Sequence, residues 1–342
     1  MIVILHKSST DTDKHALALF FQENNLAYKY IDATKTFVVP KFQQEDKIKV
    51  FKGIEKIIPI DTPYQLASKL YKTNTVVEVN SSKIGDNNFT MIAGPCSVEN
   101  EDQIFQVAEF LHNKGIKNIR GGAYKPRTSP YSFRGLEKTG LQLLHKAAKA
   151  YNLNVVTEVL DTSLIDEVAA YADIIQVGSR NMHNFYMLNE LGKINKPIIL
   201  KRGFQAKVVE WLLAAEYIMS GGNEKIILCE RGIRSFDPSS RNILDINVIP
   251  LIKELSHLPI IVDPSHATGI AKYVTPASLA AIAIGADGLL IELHPTPAKA
   301  LSDGDQALSF EEFDELLKQT QTILSAINKK SDLETFTFKL SR

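Results

Sequence analysis

The stretch Gly115-Ile-Lys-Asn-Ile-Arg-Gly-Gly-Ala-Tyr-Lys-Pro-Arg-Thr-Ser129 joins an apolar run to a basic, glycine-rich loop. The apolar run ends at Ile119 and lies between a glycine and a glycine pair, a pattern typical of a brief buried strand. The loop then carries cations and hydroxyl groups on a backbone that glycines open and prolines stiffen. Such donors suit a doubly charged phosphate monoester. We interpret the stretch as a strand followed by a phosphate-binding loop, with a solvated basic loop as the alternative.

Similar short apolar runs recur along the rest of the chain, with helical patterns between them. The runs are Thr90–Ala93, Lys117–Arg120, Asn154–Val159, Ile174–Val177, Pro197–Leu200, Lys225–Cys229, Pro259–Val262 and Gly288–Ile291. Eight strands alternating with helices over about 250 residues are typical of a (β/α)8 TIM barrel. A doubly wound open sheet is the alternative, but no Gly-x-Gly-x-x-Gly motif opens the first unit. We therefore predict an α/β protein whose residues 89–342 form a catalytic barrel.

The residues before the barrel show a different pattern. Residues 1–60 alternate strand and helix in the order βαββαβ, which predicts a small α+β ferredoxin-like domain, with Phe42–Phe51 as its second helix. Residues 61–88 read as a linker with a hairpin, in which Thr75–Val79 pairs with Phe89–Ile92. Nothing in residues 1–60 looks catalytic.

Composition narrows the class of protein. Of 342 residues, 44% are hydrophobic and 23% charged, as in ordinary globular proteins. Lys+Arg and Asp+Glu both number 39, so no overall field favours nucleic acid or an anionic membrane as partner. No apolar run could span a bilayer, and no signal pattern opens the chain. With only Cys96 and Cys229, a disulfide framework is not expected, and we predict a cytoplasmic protein.

Cations follow several predicted strands at the point where each strand ends. Barrel enzymes place their sites at this edge, so we expect the cations to converge. They are Arg120, Lys125, Arg180, Lys201 and Arg231. Each alone could be a surface residue, but so many positive charges in one barrel mouth would repel one another unless they bound more than one anion. Two phosphates and a carboxylate would balance them.

A second set of strand-end residues has the chemistry of metal ligands. Cys96, His266, Glu292 and Asp303 offer a thiolate, an imidazole and two carboxylates. Mixed ligands of this kind suit one borderline divalent metal ion such as Zn²⁺, Fe²⁺, Mn²⁺ or Co²⁺. The four residues are far apart in sequence, so Cys96 could instead be a buried apolar residue and His266 a hydrogen-bonded loop residue. Cys229 lies inside a β-branched run and is expected to be structural.

These motifs resemble those of the 3-deoxy-D-arabino-heptulosonate 7-phosphate (DAHP) synthases, the entry enzymes of aromatic amino-acid biosynthesis. The matching segments are Ala93-Gly-Pro-Cys-Ser97, Arg120-Gly-Gly-Ala-Tyr-Lys-Pro-Arg-Thr-Ser129, Gly178-Ser-Arg180, Lys201-Arg-Gly203, Cys229-Glu-Arg-Gly-Ile-Arg234, Asp263-Pro-Ser-His266 and Glu292-Leu-His294. The sibling 3-deoxy-D-manno-octulosonate 8-phosphate synthases share the barrel but carry Lys-Ala-Asn-Arg-Ser-Ser where this chain has Lys125-Pro-Arg-Thr-Ser129. A barrel that only senses phosphate, without catalysis, is the remaining alternative.

The resemblance implies a metal-dependent condensation of phosphoenolpyruvate with D-erythrose 4-phosphate, the first step of the shikimate pathway. It implies that the phosphoenolpyruvate phosphate is bound by Arg180, Lys201 and Arg231. It further implies that Arg120 and Lys125 bind the carboxylate of that substrate.

By the same resemblance, Arg127 and Thr128 bind the phosphate of the aldose. The resemblance also places the metal on Cys96, His266, Glu292 and Asp303. Lys125, His266 and Cys96 are then the catalytic residues, and Glu158 orients a water or a cation. The role of His294 is left open between structure and substrate contact.

The N-terminal domain resembles the regulatory domain of one DAHP synthase subgroup, by pattern rather than by motif. This implies allosteric feedback regulation by an aromatic amino acid such as tyrosine or phenylalanine. The alternative is a stabilising or oligomerising cap. We also expect a homo-oligomer, with a tetramer as the specific prediction.

Overall fold

The computed structural model describes residues 1–42, 44–126, 129 and 131–331. Its centre is a closed parallel barrel, as predicted. The barrel strands are β7 (Asn88–Gly94), β8 (Asn118–Arg120), β9 (Asn154–Val159), β10 (Ile174–Val177), β11 (Ile198–Lys201), β12 (Ile226–Glu230), β13 (Ile260–Val262) and β14 (Gly288–Glu292). Each strand pairs in parallel with the next, and β14 pairs with β7 to close the ring. All eight predicted strands are therefore present, and the barrel prediction is confirmed.

The remaining elements surround this ring. Before it come β1 (Ile2–Leu5), β2 (Lys29–Ile31), β3 (Thr36–Val38), β4 (Ile54–Ile58), β5 (Val77–Val79) and β6 (Ser82–Ile84), and after it β15 (Lys330–Ser331). The α-helices are α1 (Asp11–Glu23), α2 (Glu101–Asn113), α3 (Glu137–Ala150), α4 (Ile165–Tyr171), α5 (Phe185–Leu191), α6 (Val208–Met219), α7 (Val248–Leu255), α8 (Pro264–Thr268), α9 (Ala271–Ala283) and α10 (Phe310–Ala326). A capping box formed by Ser309 and Glu312 opens α10.

The first four strands form a separate antiparallel sheet in the order β2-β3-β1-β4, with α1 packed against it. This order is the one expected of a βαββαβ sandwich. The predicted second helix is wrong, because the described residues of Phe42–Phe51 form a short 3-10 turn at Glu45–Lys47 and no α-helix. Of its apolar residues, Phe42, Ile48 and Phe51 pack into the core of the small domain, while Val50 is exposed. The three packed residues are spaced six and three apart, which gives no continuous apolar stripe, and so short a helix is marginal by itself.

The linker contains a hairpin, but its strands differ from those predicted. β5 pairs with β6 in antiparallel fashion, because the chain reverses at Asn80 (φ 48°). The predicted partner Phe89–Ile92 belongs instead to β7. Val77, Val79 and Ile84 are buried in one apolar cluster with inward-facing barrel residues such as Ile92 and Ile227. The hairpin therefore closes the amino-terminal end of the barrel, and the opposite end is left for the site.

Within the described part of the chain, no helix combines the length and the apolar character that a bilayer crossing requires. The segment boundaries 1–60, 61–88 and 89–342 stay a prediction.

Candidate active site

The carboxyl ends of the barrel strands surround one polar cavity. Most of the predicted site residues line it, together with several that were not predicted. The described lining residues are Lys125, Pro126, Glu158, Gly178, Ser179, Arg180, Lys201, Phe204, Arg231, Arg241, His266 and Asp303. Parallel strands share one direction, so residues distant in sequence meet at this edge.

The first two strand-end loops are held together by their backbones. Gly122 N donates to Cys96 O at 3.2 Å, and Val98 N donates to Gly122 O at 3.0 Å. Gly94 adopts φ 151°, and a Cβ there would lie 2.0 Å from the carbonyl oxygen of Arg120. Only glycine allows β7 and β8 to approach this closely. This approach brings Cys96 beside the basic loop.

Three of the four predicted metal ligands form a compact cluster. The ligand atoms of Cys96, Glu292 and Asp303 all lie within 4.8 Å of one another. His266 joins them through its Nε2, which lies 3.3 Å from Oε1 of Glu292. That Oε1 is buried and accepts no well-aligned hydrogen bond from the described residues, although Arg120 Nη1 lies 3.0 Å from it. The cluster thus offers a thiol, an imidazole and two carboxylates, and one carboxylate has a buried oxygen that accepts no well-aligned hydrogen bond from the described part of the chain. This donor set fits a divalent metal ion.

The orientation of Glu292 is set by its neighbours. Gln306 Nε2 donates to Glu292 Oε2 at 2.5 Å, and Arg241 Nη1 donates to Gln306 Oε1 at 2.7 Å. Arg120 Nη1 lies 3.0 Å from the other oxygen, Oε1. Oε2 of Glu292 is therefore held by a hydrogen bond, while Oε1 faces the other candidate metal ligands.

His266 is oriented in a similar way. Its Nδ1 lies 2.7 Å from Oδ2 of Asp263, and its backbone N donates to Asp263 Oδ1 at 2.9 Å, so Asp263 caps α8. Lys201 Nζ also donates to Asp263 Oδ2, at 2.5 Å. Burial would raise the pKa of Asp263, but His266 and Lys201 hold it well below its usual value. Asp263 is therefore an ionised carboxylate that accepts a hydrogen bond from Nδ1–H of His266. This leaves the lone pair of Nε2 free to bind a metal.

Cys96 is a neutral thiol in this arrangement. Burial, reinforced by the charge of Glu292, raises its pKa to about 11, although Lys125 opposes the rise. Lys125 Nζ donates to Cys96 O at 2.8 Å and lies 3.1 Å from Cys96 Sγ. Because metals bind the thiolate, a metal ion must displace the thiol proton.

The cavity contains two arginines, Arg180 and Arg231, that form no ion pair with a carboxylate of the described residues. Arg231 is 3% exposed, burial lowers its pKa, and its Nη1 has no hydrogen-bond partner among the described residues. Arg180 lies at the exposed rim of the same cavity. Guanidinium groups that lack a carboxylate partner are suited to binding an anion such as phosphate.

Glu158 faces this cavity from the end of β9. Gln176 Nε2 donates to Glu158 Oε2 at 2.9 Å. A Cβ at Gly178 would lie 2.1 Å from Glu158 Oε1, so a glycine here leaves room for the carboxylate. One oxygen of Glu158 is thus held in place beside the cavity.

Some predicted residues lie elsewhere. Arg120 is 4% exposed and contacts Glu292 rather than lining the cavity. The predicted phosphate ligands Arg127 and Thr128 lie outside the described residues. His294 Nε2 lies 3.5 Å from Glu99 Oε2.

Two further polar or charged residues of the barrel, Arg202 and Cys229, have structural rather than site positions. Arg202, another strand-end cation, forms ion pairs with Glu230 at 3.0 Å and Asp245 at 2.9 Å. Cys229 is fully buried in β12, as expected. Neither residue lines the cavity.

Sequence reasoning missed Arg241, Phe204 and Gln306. Arg241 follows β12 in the same loop as Arg231, so its charge and position were a usable signal. Phe204 follows Lys201-Arg-Gly203, but one aromatic residue in a loop carries no specific pattern. Gln306 had no signal, because its contact with Glu292 depends on how the last loop folds back.

Comparisons with known proteins identify the family of this chain. The model of the DAHP synthetase I family matches residues 71–327. The phospho-2-dehydro-3-deoxyheptonate aldolase of Thermotoga maritima is 46% identical over 336 residues, covering 96% of this chain and 99% of the relative. The 2-dehydro-3-deoxyphosphooctonate aldolase of Syntrophobacter fumaroxidans is 30% identical over 261 residues, covering 71% of this chain and 89% of the relative.

Solved structures give the same result. The crystal structure of the Thermotoga maritima DAHP synthase has a TM-score of 0.79 and 45% identity, covering 96% of this chain and 98% of that chain. A truncated form of the Thermotoga maritima enzyme has a TM-score of 0.74 and 48% identity, covering 78% of this chain and 99% of that chain. The chain described here belongs to the DAHP synthetase I family.

Proposed function

We propose that the barrel mouth condenses phosphoenolpyruvate with D-erythrose 4-phosphate to give DAHP and phosphate, the first step of the shikimate pathway. The observation that carries the proposal is the pairing of two features in one place. A cluster of metal-ligand side chains (Cys96, Glu292 and Asp303) lies beside a cavity lined by unneutralised cations such as Arg231. The reaction joins two anionic substrates, so it needs both features.

The cations supply the binding of phosphoenolpyruvate. Arg180, Lys201 and Arg231 are proposed to hold its phosphate, since all three line the cavity. Lys125 is proposed to bind the carboxylate from the opposite loop. Arg120 would assist from beside Glu292, where its Nη1 lies 3.0 Å from Oε1 and its buried Nε has no hydrogen-bond partner among the described residues. Binding the substrate through both anionic groups fixes which face of its enol carbon is exposed.

The aldose phosphate is assigned to Arg127 and Thr128. This assignment is based on the Lys125-Pro-Arg-Thr-Ser129 motif and its resemblance to the family. An arginine fork beside a hydroxyl donor suits a second phosphate monoester.

A divalent metal ion would be held by Cys96, His266, Glu292 and Asp303. Members of this family depend on a metal, and the donor set admits Mn²⁺, Fe²⁺, Co²⁺ or Zn²⁺. When bound, the ion supplies Lewis acidity that polarises the aldehyde toward attack by a weakly nucleophilic enol carbon. The protein's own part is to keep the Glu292 and His266 donor atoms directed at one point.

Protein side chains manage the protons and the water. As the enol carbon attacks the aldehyde, the new alkoxide takes a proton, for which Lys125 is the proposed donor. His266 and Cys96 would act beside it as ligands of the metal ion. Water then adds to the adjacent carbon, which bears the phosphate oxygen and became cationic in the attack. The added water passes a proton to the departing phosphate as that C–O bond breaks. Glu158, with one oxygen held by Gln176, is proposed to orient that water or a nearby cation.

Two other functions remain as outcomes of a test. The first is octulosonate synthase activity, suggested by the name of the 30% identical relatives. The second is a barrel that only senses phosphate, which would show no turnover. Phosphate release should be measured with phosphoenolpyruvate plus erythrose 4-phosphate or arabinose 5-phosphate, each with and without a chelator. We expect turnover with the four-carbon sugar, lost with chelator and restored by Mn²⁺. Turnover with arabinose 5-phosphate alone, or activity indifferent to chelation, would contradict the proposal.

We infer that the N-terminal sheet domain mediates feedback inhibition by tyrosine or phenylalanine and that the enzyme is a homo-oligomer, specifically a tetramer. Among the described residues, this domain contributes no lining to the catalytic cavity, which supports a role other than chemistry. It is attached to the barrel by contacts such as Lys29 Nζ to Ser220 Oγ at 2.8 Å. Removing residues 1–60 should preserve activity and abolish inhibition. Full-length enzyme indifferent to both amino acids would refute the inference, and light scattering measures the assembly.

A further inference from the structure

Phe204 is surrounded by three arginine side chains. Its ring centroid lies 4.7 Å from the guanidinium carbon of Arg231, 4.9 Å from that of Arg234 and 5.7 Å from that of Arg180. All three distances are within the range of cation–π attraction. Phe204 lies just after β11 and lines the catalytic cavity together with Arg180 and Arg231. One ring therefore contacts cations from the loops that follow β10 and β12.

The backbone holds the ring at this junction. Arg234 N donates to Phe204 O at 2.8 Å, which ties the loop after β12 to the loop after β11. Gly203 N lies 3.0 Å from Sδ of the buried Met182, which ties the same loop to the segment that carries Arg180. These contacts fix the backbone that carries the Phe204 ring.

The charges around the ring explain why an aromatic residue is needed there. No carboxylate forms an ion pair with Arg180, Arg231 or Arg234 within the described residues. A carboxylate at position 204 would align the guanidinium groups, but it would also neutralise them and compete with a phosphate ligand. The face of a phenyl ring carries partial negative charge from its quadrupole, so it attracts the cations without neutralising them.

We propose that Phe204 is a positioning residue that holds these guanidinium groups in place for phosphate binding while leaving their charge free for the ligand. The ring does not touch the reacting atoms; it acts through Arg231 and Arg180. This inference extends the proposed function, since it takes the ligand to be the phosphate of phosphoenolpyruvate.

The test compares Phe204→Leu, which keeps an apolar side chain and removes the ring, with Phe204→Tyr, which keeps the ring. Phe185→Leu is the matched control, because Phe185 stacks on Tyr217 away from the cavity at a centroid distance of 4.4 Å. Inorganic phosphate binding to each metal-free protein is measured by calorimetry. KM for each substrate and kcat are then measured with the metal-loaded enzymes.

We expect Phe204→Leu to weaken phosphate binding and raise KM for phosphoenolpyruvate by about tenfold, since the ring contacts of two proposed phosphate ligands, Arg180 and Arg231, are lost. KM for the aldose and kcat should stay within about twofold. Phe204→Tyr and Phe185→Leu should match the unaltered protein. The inference is wrong if Phe204→Leu binds phosphate normally, or if Phe204→Tyr is as impaired as Phe204→Leu. Absence of turnover in the unaltered enzyme would instead refute the proposed function, while the phosphate titration would still test the role of the ring.

Discussion

Gln306 offers the sharpest test of how the cluster of candidate metal ligands is held in place. It is 2% exposed, and its amide lies between Arg241 and Glu292, donating to Oε2 of Glu292 at 2.5 Å. Replacing it with leucine keeps the volume nearly constant and removes both hydrogen bonds. Glu292 is fully buried, so water cannot readily replace the lost donor. The carboxylate then loses the contact that directs its other oxygen, Oε1, at the metal cluster.

The size of the effect follows from the charge involved. A hydrogen bond to an ionised group contributes about 1.5 to 3 kcal/mol. Since about 1.4 kcal/mol corresponds to a tenfold change in affinity, Gln306→Leu should weaken metal binding by roughly 10- to 100-fold. Loss of an outer contact to a metal ligand typically has an effect of this size.

The assay is calorimetric titration of the metal-free protein with Mn²⁺, which needs no turnover. Gln65→Leu is the matched control, because Gln65 is also a buried glutamine, with Nε2 donating to Thr62 O at 2.7 Å, and it lies outside the metal cluster. Circular dichroism confirms that both variants fold. If Gln306→Leu binds Mn²⁺ as tightly as the unaltered protein, or if Gln65→Leu is equally weakened, the reasoning is refuted.

Three further predictions concern other parts of the fold. Burial lowers the pKa of His257 to about 4. As the pH falls below about 6.5, this histidine is protonated in the unfolded chain but not in the folded one. The free energy of unfolding should therefore fall by about 1.4 kcal/mol per pH unit until about pH 4. Denaturant titrations should show this slope reduced in His257→Gln, and an unchanged slope would count against it. Gly178→Ala should lower kcat/KM by roughly 10- to 100-fold with little change in Tm, because the new methyl group displaces Glu158; normal kinetics would exclude this. Ile84→Ala should cost about 2 to 5 kcal/mol of unfolding free energy by leaving a void below the barrel, and a loss under about 1 kcal/mol would mean that the hairpin does not seal it.

The barrel could be predicted because its signal is local and repeated. Each strand is a short apolar run whose burial on both faces requires β-branched and aliphatic residues, as in Ile174–Val177 and Ile198–Lys201. Parallel strands share a direction, so the residue after each run could be assigned to one edge without coordinates. His266, Lys201 and Arg231 were found in this way, and the structure brings them to one cavity.

Turn geometry and short helices were less predictable. The hairpin was assigned the wrong partner because Asn80 can adopt a left-handed conformation or continue a loop, and the sequence does not choose between them. The second helix of the small domain was predicted from a weak apolar spacing that packing did not support. In both places the local signal was small compared with the free energy of burying side chains against a distant element.

The sequence by itself determined the barrel, the family and the identity of most strand-end groups, because each depends on residue type and on spacing along the chain. Only the tertiary structure decided which of those groups are free. Arg202 and Arg231 are both strand-end cations, yet Arg202 is paired with Glu230 and Asp245 while Arg231 faces the cavity. The contacts of Gln306 and Phe204 likewise exist only once separate loops meet. Charge is a property of the residue, whereas its neutralisation depends on distances of a few ångström that the folded chain alone establishes.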